Sequence, residues 1–264
     1  MLEWLFDVPL WVMGPLMAGL LGLFALAGLR VVRSRVLPRL TITFHDSEFV
    51  GTMVSGMIVF YGLSVALIAV KVWETYADVS KTVSAEASAV AAIYRDISVY
   101  PEPARGQLQD QLRGYVEYVI EEAWPAQRAG RVPSGGVDWM NRTQEILAGF
   151  EPASEGQRIL HAEVWRAYNR LIEVRRLRLD SIETGLPAVL WAVILLGAVI
   201  CLTSSFFFAV VDARLHATLV VLLAVFIGMV IFVVLAMDRP FRGDLGIPPR
   251  SYQLVYDQLM RPSR

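Results

Sequence analysis

The sequence predicts an all-α membrane protein: four transmembrane helices, with a helical extramembrane region between the second and third formed partly by extensions of those helices. Three observations predict it. Residues 9–29, 50–72, 186–211 and 217–237 are apolar runs, each long enough for a bilayer, which takes about 20 residues to cross. Lys71 is the only charge inside those runs, one residue from an end. In the polar block between the second and third runs, apolar residues recur at threes and fours, the period of a helix, and no stretch alternates as a strand does.

The division that follows is 1–48, a first span and basic loop; 49–73, the second span; 74–185, a helical extramembrane region; 186–238, a transmembrane hairpin; and 239–264, a tail.

The first span carries Gly14, Ala18 and Gly22 at a spacing of four. Small residues so spaced let helices approach closely. Arg30, Arg33, Arg35 and Arg39 follow, and Pro38 interrupts the helix. The start, Met1–Leu10, has Glu3 and Asp7 and no basic residue, so the first run is expected to be a retained helix rather than a cleavable leader.

The second span has no stop signal. Val72, Tyr76, Val79, Val83, Ala87, Val90, Ile93 and Ile97 continue one stripe beyond the membrane, giving a helix of about 50 residues, or about 75 Å at ~1.5 Å per residue. Pro101-Glu102-Pro103 is a turn. Residues 104–124 form an amphipathic helix with Leu108, Leu112, Tyr115, Val119 and Ala123 on one side. A Gly- and Pro-rich loop, 125–137, precedes a short helix at 138–149. Ser154 can cap a long helix from Glu155, whose stripe is Leu160, Val164, Ala167, Leu171, Val174, Leu177 and Ile182. It is expected to feed directly into the third span, with Pro187 a mild break. Asp212–His216 links the third and fourth spans, the fourth is expected to face lipid, and a short helix lies at 251–260.

Composition narrows the function. Of 264 residues, 55% are hydrophobic, and mean hydropathy is +0.49, outside the range of a soluble domain. Net charge is −1, so bulk charge gives no reason for a nucleic-acid partner. Residues 74–185 hold 13 Lys and Arg against 17 Asp and Glu, a solvated surface. Cys201 is the single cysteine, so no intrachain disulfide or cysteine metal site is possible.

Catalytic constellations are missing from the sequence. His45, His161 and His216 lie in three different segments without metal-ligand spacing, and no Gly-rich phosphate loop or nucleophile motif occurs. His45, Asp46, Ser47 and Glu48 read as a polar connector, and Glu121, Glu122 and Trp124-Pro125 as a helix terminus with an aromatic anchor. No catalytic residue, metal site or cofactor is therefore expected, and an enzyme is not.

Two groups invite a functional reading. Phe49, Met53, Met57, Phe60 and Ser64 share one face of the second span, as an apolar pore constriction with a polar exit would. Lys71 with Arg175, Arg176 and Arg178 could form a cationic vestibule that concentrates anions. Packing and headgroup contact remain the plain alternatives for each.

Even span number puts both termini and the helical region on one side. That side has nine Lys or Arg near span ends, the other five, which favours a cytoplasmic helical region and cytoplasmic termini.

Val72-Trp73-Glu74-x-Tyr76, Glu86-Ala87, Tyr94-Arg95, Tyr115, Glu122-x-Trp124-Pro125, Arg175-x-x-Arg178-Leu179, Leu186-Pro187-x-x-x-Trp191 and Asp238-Arg239-Pro240-Phe241-x-Gly243 occur in this order. Together they resemble the bestrophin-like family of bacterial and plant membrane proteins, over about residues 45–258. The resemblance implies a multi-pass protein of a bacterial inner membrane. It implies a distant similarity to bestrophins, pentameric anion channels whose second helix lines a narrow apolar neck. Partners would then be the lipid bilayer, further copies of the chain in a homo-oligomer (a pentamer by analogy) and small inorganic anions such as chloride. The acidic cluster that binds calcium in animal bestrophins has no counterpart here. The alternative is a non-conducting signalling or scaffold protein that binds a partner through the stripes at 76–97 and 160–182.

Overall fold

The structure, a computed structural model, describes residues 8–39, 44–208 and 210–261, and the side chains of residues 44–47 lie outside that description. The described residues are helical with no strand. The helices are α1 (Leu10–Val31), α2 (Phe44–Asp96), α3 (Ala104–Tyr118), α4 (Trp124–Arg128), α5 (Gly136–Ala148), α6 (Glu155–Asp180), α7 (Ala188–Ser205), α8 (Ala213–Met237) and α9 (Arg250–Val255). Of these, α1, α2, α7 and α8 are long and apolar enough to cross a membrane.

The chain divides into two compact units. The membrane unit takes the chain up to Glu74 and Gly185–Asp238; the extramembrane unit takes Thr75–Thr184 and the chain from Arg239 on. Helix α2 supplies residues to both.

In the membrane unit, α1 packs antiparallel on α8. Phe232 covers Gly14, and a Cβ on Gly228 would stand 3.1 Å from the Ala18 backbone. The small-residue stripe of the first span is thus used within the chain, since two helices close to this distance only where side chains are minimal. The expectation that the fourth span faces lipid is corrected for one face: Val220, Ala224, Ile227, Gly228, Ile231, Val234 and Leu235 of α8 are buried, while Leu219, Leu222, Phe226, Met229 and Val233 are exposed. A helix apolar at every position carries no stripe in its sequence to show which face packs.

A second correction concerns the route from α6 to the third span. Helix α6 stops at Asp180, and α7 begins at Ala188 with extended Pro187 as its N-cap. Pro187 cannot donate into a preceding turn, so it starts a helix here rather than bending one. Asp238, at the end of α8, accepts the Leu186 N–H at 2.6 Å and the Trp191 indole N–H at 3.4 Å, fixing the start of α7. Asp212 caps α8 by accepting the N–H groups of Arg214 and Leu215.

In the extramembrane unit, Val79, Val83, Ala87, Val90, Ile93 and Ile97 share one core with Leu108, Leu112, Tyr115 and Val119 and with Val164, Leu171 and Val174. The α3 helix does not end at Trp124: a π-turn, Val119–Ala123, carries it into α4 as far as Arg128. Ser154 caps α6, its hydroxyl accepting the Gln157 N–H at 3.2 Å. The chain after the fourth span returns to this core. Phe241, Ile247, Tyr252 and Met260 are buried in it, and Arg113 donates to the Met260 carbonyl at 2.9 Å.

Candidate functional site

Helix α2 is the least covered element of the membrane unit: between Glu48 and Trp73 only Val54, Val65 and Val72 are buried. The predicted face is open in the single chain. Phe49 is 62% exposed, Met53 50%, Met57 39% and Phe60 74%. Ser64 is half-buried, and its hydroxyl donates to the Phe60 carbonyl at 2.8 Å, so it satisfies itself on its own helix.

This face borders a groove of about 520 Å³ between α2 and α7, lined by Met53, Met57, Phe60 and Ser64 on one side and Val193 and Ile200 on the other. Tyr61 closes its base. The Tyr61 ring lies where a Cβ on Gly197 would stand, 2.5 Å away, and its hydroxyl donates to the Ile194 carbonyl at 3.1 Å. The lining carries no ionisable group apart from Tyr61 and Cys201. A wall so largely apolar repels water.

The residues of the predicted cationic group have different surroundings. Lys71 and Arg176 are exposed and Arg175 is half-buried, with Lys71 3.5 Å from Glu74. Arg178 is corrected: it is 1% exposed, so it presents no charge to solvent. Its Nε donates to Glu86 Oε2 at 2.5 Å and its Nη2 to Glu86 Oε1 at 3.1 Å. Tyr115 adds a hydrogen bond to Glu86 Oε1 at 2.7 Å, and Arg178 lies over the Trp124 ring, 5.7 Å from its centroid. Burial alone would pull the Arg178 guanidinium down, but the Glu86 carboxylate and the Tyr252 oxygen beside it hold it well above the ordinary arginine value. Burial and the same carboxylate push the Tyr115 phenol up.

This cluster gathers residues that the sequence scatters. Trp124 is no surface anchor: it is 2% exposed, donates to the Ile247 carbonyl at 2.9 Å, and meets Phe241 and Tyr252 edge-on. Tyr76 donates to the Leu245 carbonyl at 2.9 Å. Gly243 has φ +70°, a backbone region that favours glycine. Several pieces of the resemblance are therefore contacts: Glu86, Tyr115, Trp124, Arg178 and Phe241 in the extramembrane unit, and Leu186, Trp191 and Asp238 in the membrane unit.

A signal for the ion pair was in the sequence. Glu86 sits on the apolar stripe of α2, between Val83 and Val90, and Arg178 follows Leu171 and Val174 at the same spacing. The predicted stripe took Leu177 instead, which is 50% exposed.

His161 and His216 are placed by hydrogen bonds. His161 holds the Tyr100 hydroxyl at 2.7 Å and the Trp165 indole at 2.9 Å; His216 lies 3.1 Å from the Ser205 carbonyl. The side chains of His45, Asp46 and Ser47 lie outside the described residues. Among the described residues no group of three His, Cys, Asp or Glu could hold a metal ion.

A family model described as Bestrophin-like domain matches residues 19–252, reaching back into α1. No curated protein and no solved structure matches the chain.

Proposed function

This chain belongs to the bestrophin-like family, and from that premise we propose that it works as an oligomeric membrane channel for small anions, chloride among them, with α2 lining the pore. The observation that carries the reading is the uncovered face Phe49, Met53, Met57 and Phe60. Large apolar side chains on a span must meet lipid, a neighbouring chain or a pore. Around a symmetry axis, this face would make a narrow apolar neck that opens by wetting. Exposed Lys71, at the end of the same span, would enrich anions near it. Both termini and the extramembrane unit are assigned to the cytoplasmic side of an inner membrane, on the excess of Lys and Arg there.

The scaffold alternative loses its motive. The stripes at 76–97 and 160–182 were to bind a partner, and apart from Leu177 they pack in one intrachain core.

The test is a planar-bilayer recording of the purified chain under asymmetric KCl. Currents reversing near the chloride equilibrium potential, with reversal or conductance altered in Met57→Ala or Phe60→Ala, support the reading. Silence across voltage and pH in a folded, oligomeric preparation, together with unaltered behaviour of Ser64→Leu and Met57→Leu in cells, would overturn it.

A further inference from the structure

The end of the membrane unit where α1 and α7 finish and α8 begins carries a concentration of arginines that the channel reading does not use and of which the fold engages one, Arg33. Phe232 faces Gly14 and Gly228 faces Ala18, so each turn along α1 matches a turn back along α8. Continued to the end of α1, that register brings Arg30 level with His216, and Arg33 level with Ala213. Arg33 confirms it, donating to the carbonyls of Val210 at 3.3 Å and Val211 at 3.1 Å in the link before α8. Arg35 and Arg39 follow on the π-turn Val32–Val36 and the turn Leu37–Arg39, and Arg214 lies in the first turn of α8.

The five have different employment. Arg33 ties the link down. Arg30, Arg35, Arg39 and Arg214 are exposed, and no hydrogen bond or ion pair with the described residues engages their side chains. Among the described residues, counter-charge is sparse. The described acidic side chains at this end are Asp212, already accepting two backbone N–H groups as the cap of α8, and Glu48 at the start of α2, near where Gly51 meets Phe208. All five cations are arginine, whose planar fork matches a phosphate in two-point contact, where lysine offers a point charge. Charges at the end of a span lie at headgroup depth.

We propose that this end is a binding surface for anionic phospholipid, with Arg30, Arg35, Arg39 and Arg214 holding headgroup phosphates and Arg33 fixing the backbone that presents them. A surface of this kind distinguishes lipids by net charge, because a zwitterionic headgroup brings its own cation to the phosphate. Simple snorkelling of arginine to water does not distinguish them. The inference is independent of conduction and of subunit number.

The test is native mass spectrometry of the full chain, released from vesicles of phosphatidylcholine mixed with phosphatidylglycerol. The wild type is expected to retain phosphatidylglycerol preferentially. The triple variant Arg30→Gln/Arg35→Gln/Arg39→Gln should lose up to about a hundredfold of that preference, at roughly fivefold per cation removed. The Lys triple should retain part of it, and Arg158→Gln/Arg166→Gln, on the exposed face of α6, all of it. Melting temperatures identify a variant that fails to fold, in which case the Lys triple decides. Equal retention of both lipids by the wild type, or an unchanged preference in the folded Gln triple, overturns the proposal. So does loss of the preference on adding inorganic phosphate at low millimolar concentration, which would mark a site for the free ion.

Discussion

Arg178 and Glu86, ninety-two positions apart, meet through two hydrogen bonds in the interior of the extramembrane unit, with the Tyr115 hydroxyl on the same carboxylate. Removing one partner leaves the other charged and dry. Glu86→Leu or Arg178→Met should each destabilise the unit by about 3–5 kcal/mol, while the double variant should recover much of the loss, since an apolar pair of similar volume often matches a buried ion pair. Chemical unfolding of the detergent-purified chain checks this, and additive losses in the double variant would contradict it.

Asp238 ties the start of α7 to the end of α8. Asp238→Ala leaves the Leu186 N–H, bonded at 2.6 Å, without its acceptor, for a loss of about 1–3 kcal/mol. Asp238→Asn keeps an acceptor and should cost less. Melting temperature with proteolysis near residues 181–187 reads both, the Ala variant being cut sooner.

The α1–α8 seam predicts a contrast between glycines. A Cβ on Gly228 meets backbone of α1 at 3.1 Å, whereas a Cβ on Gly22 meets nothing within 4 Å. Gly228→Leu should therefore destabilise by about 1–3 kcal/mol through overpacking, and Gly22→Ala should be neutral or slightly stabilising. Melting temperatures of the two variants, compared in one detergent, decide it.

His161 predicts a response to acid. The Trp165 indole can only donate, so His161 Nε2 must accept, and the ring is held neutral. Burial lowers its folded value below the ordinary 6.5. Because the unfolded chain takes up the proton first, stability from this group is present at neutral pH and is lost as pH falls below about 6.5. His161→Gln should flatten the melting-temperature profile between about pH 6.5 and 5. An unchanged slope there would refute it.

Much of the fold can be read residue by residue. The spans, the stripe from Val79 to Ile97, the α3 face and the Ser154 cap all follow from local periodicity and capping. What was not legible depended on partners far along the chain. Arg178 falls on the apolar stripe after Leu171 and Val174, but its partner Glu86 lies ninety-two positions away. The packing face of α8 cannot be read where every position is apolar. Trp124 looked like a helix end because Pro125 follows it, yet the π-turn Val119–Ala123 carries the helix on through Pro125 to Arg128. The Phe49–Phe60 face was legible as a stripe, but not as the one left uncovered, because that depends on where α1, α7 and α8 go.

The return of the chain after α8 has a consequence for biosynthesis. Tyr76 waits for Leu245, Ser84 for Ser251 and Trp124 for Ile247, separations of 169, 167 and 123 residues. Contacts this distant in sequence form late and slowly. The core begun by α2 and α3 therefore stays open on the ribosome until the fourth span has been made and the last segment delivered. A nascent chain halted before that point would present Trp124 and its apolar neighbours to chaperones and proteases. Closure of the extramembrane core therefore follows synthesis of all four spans.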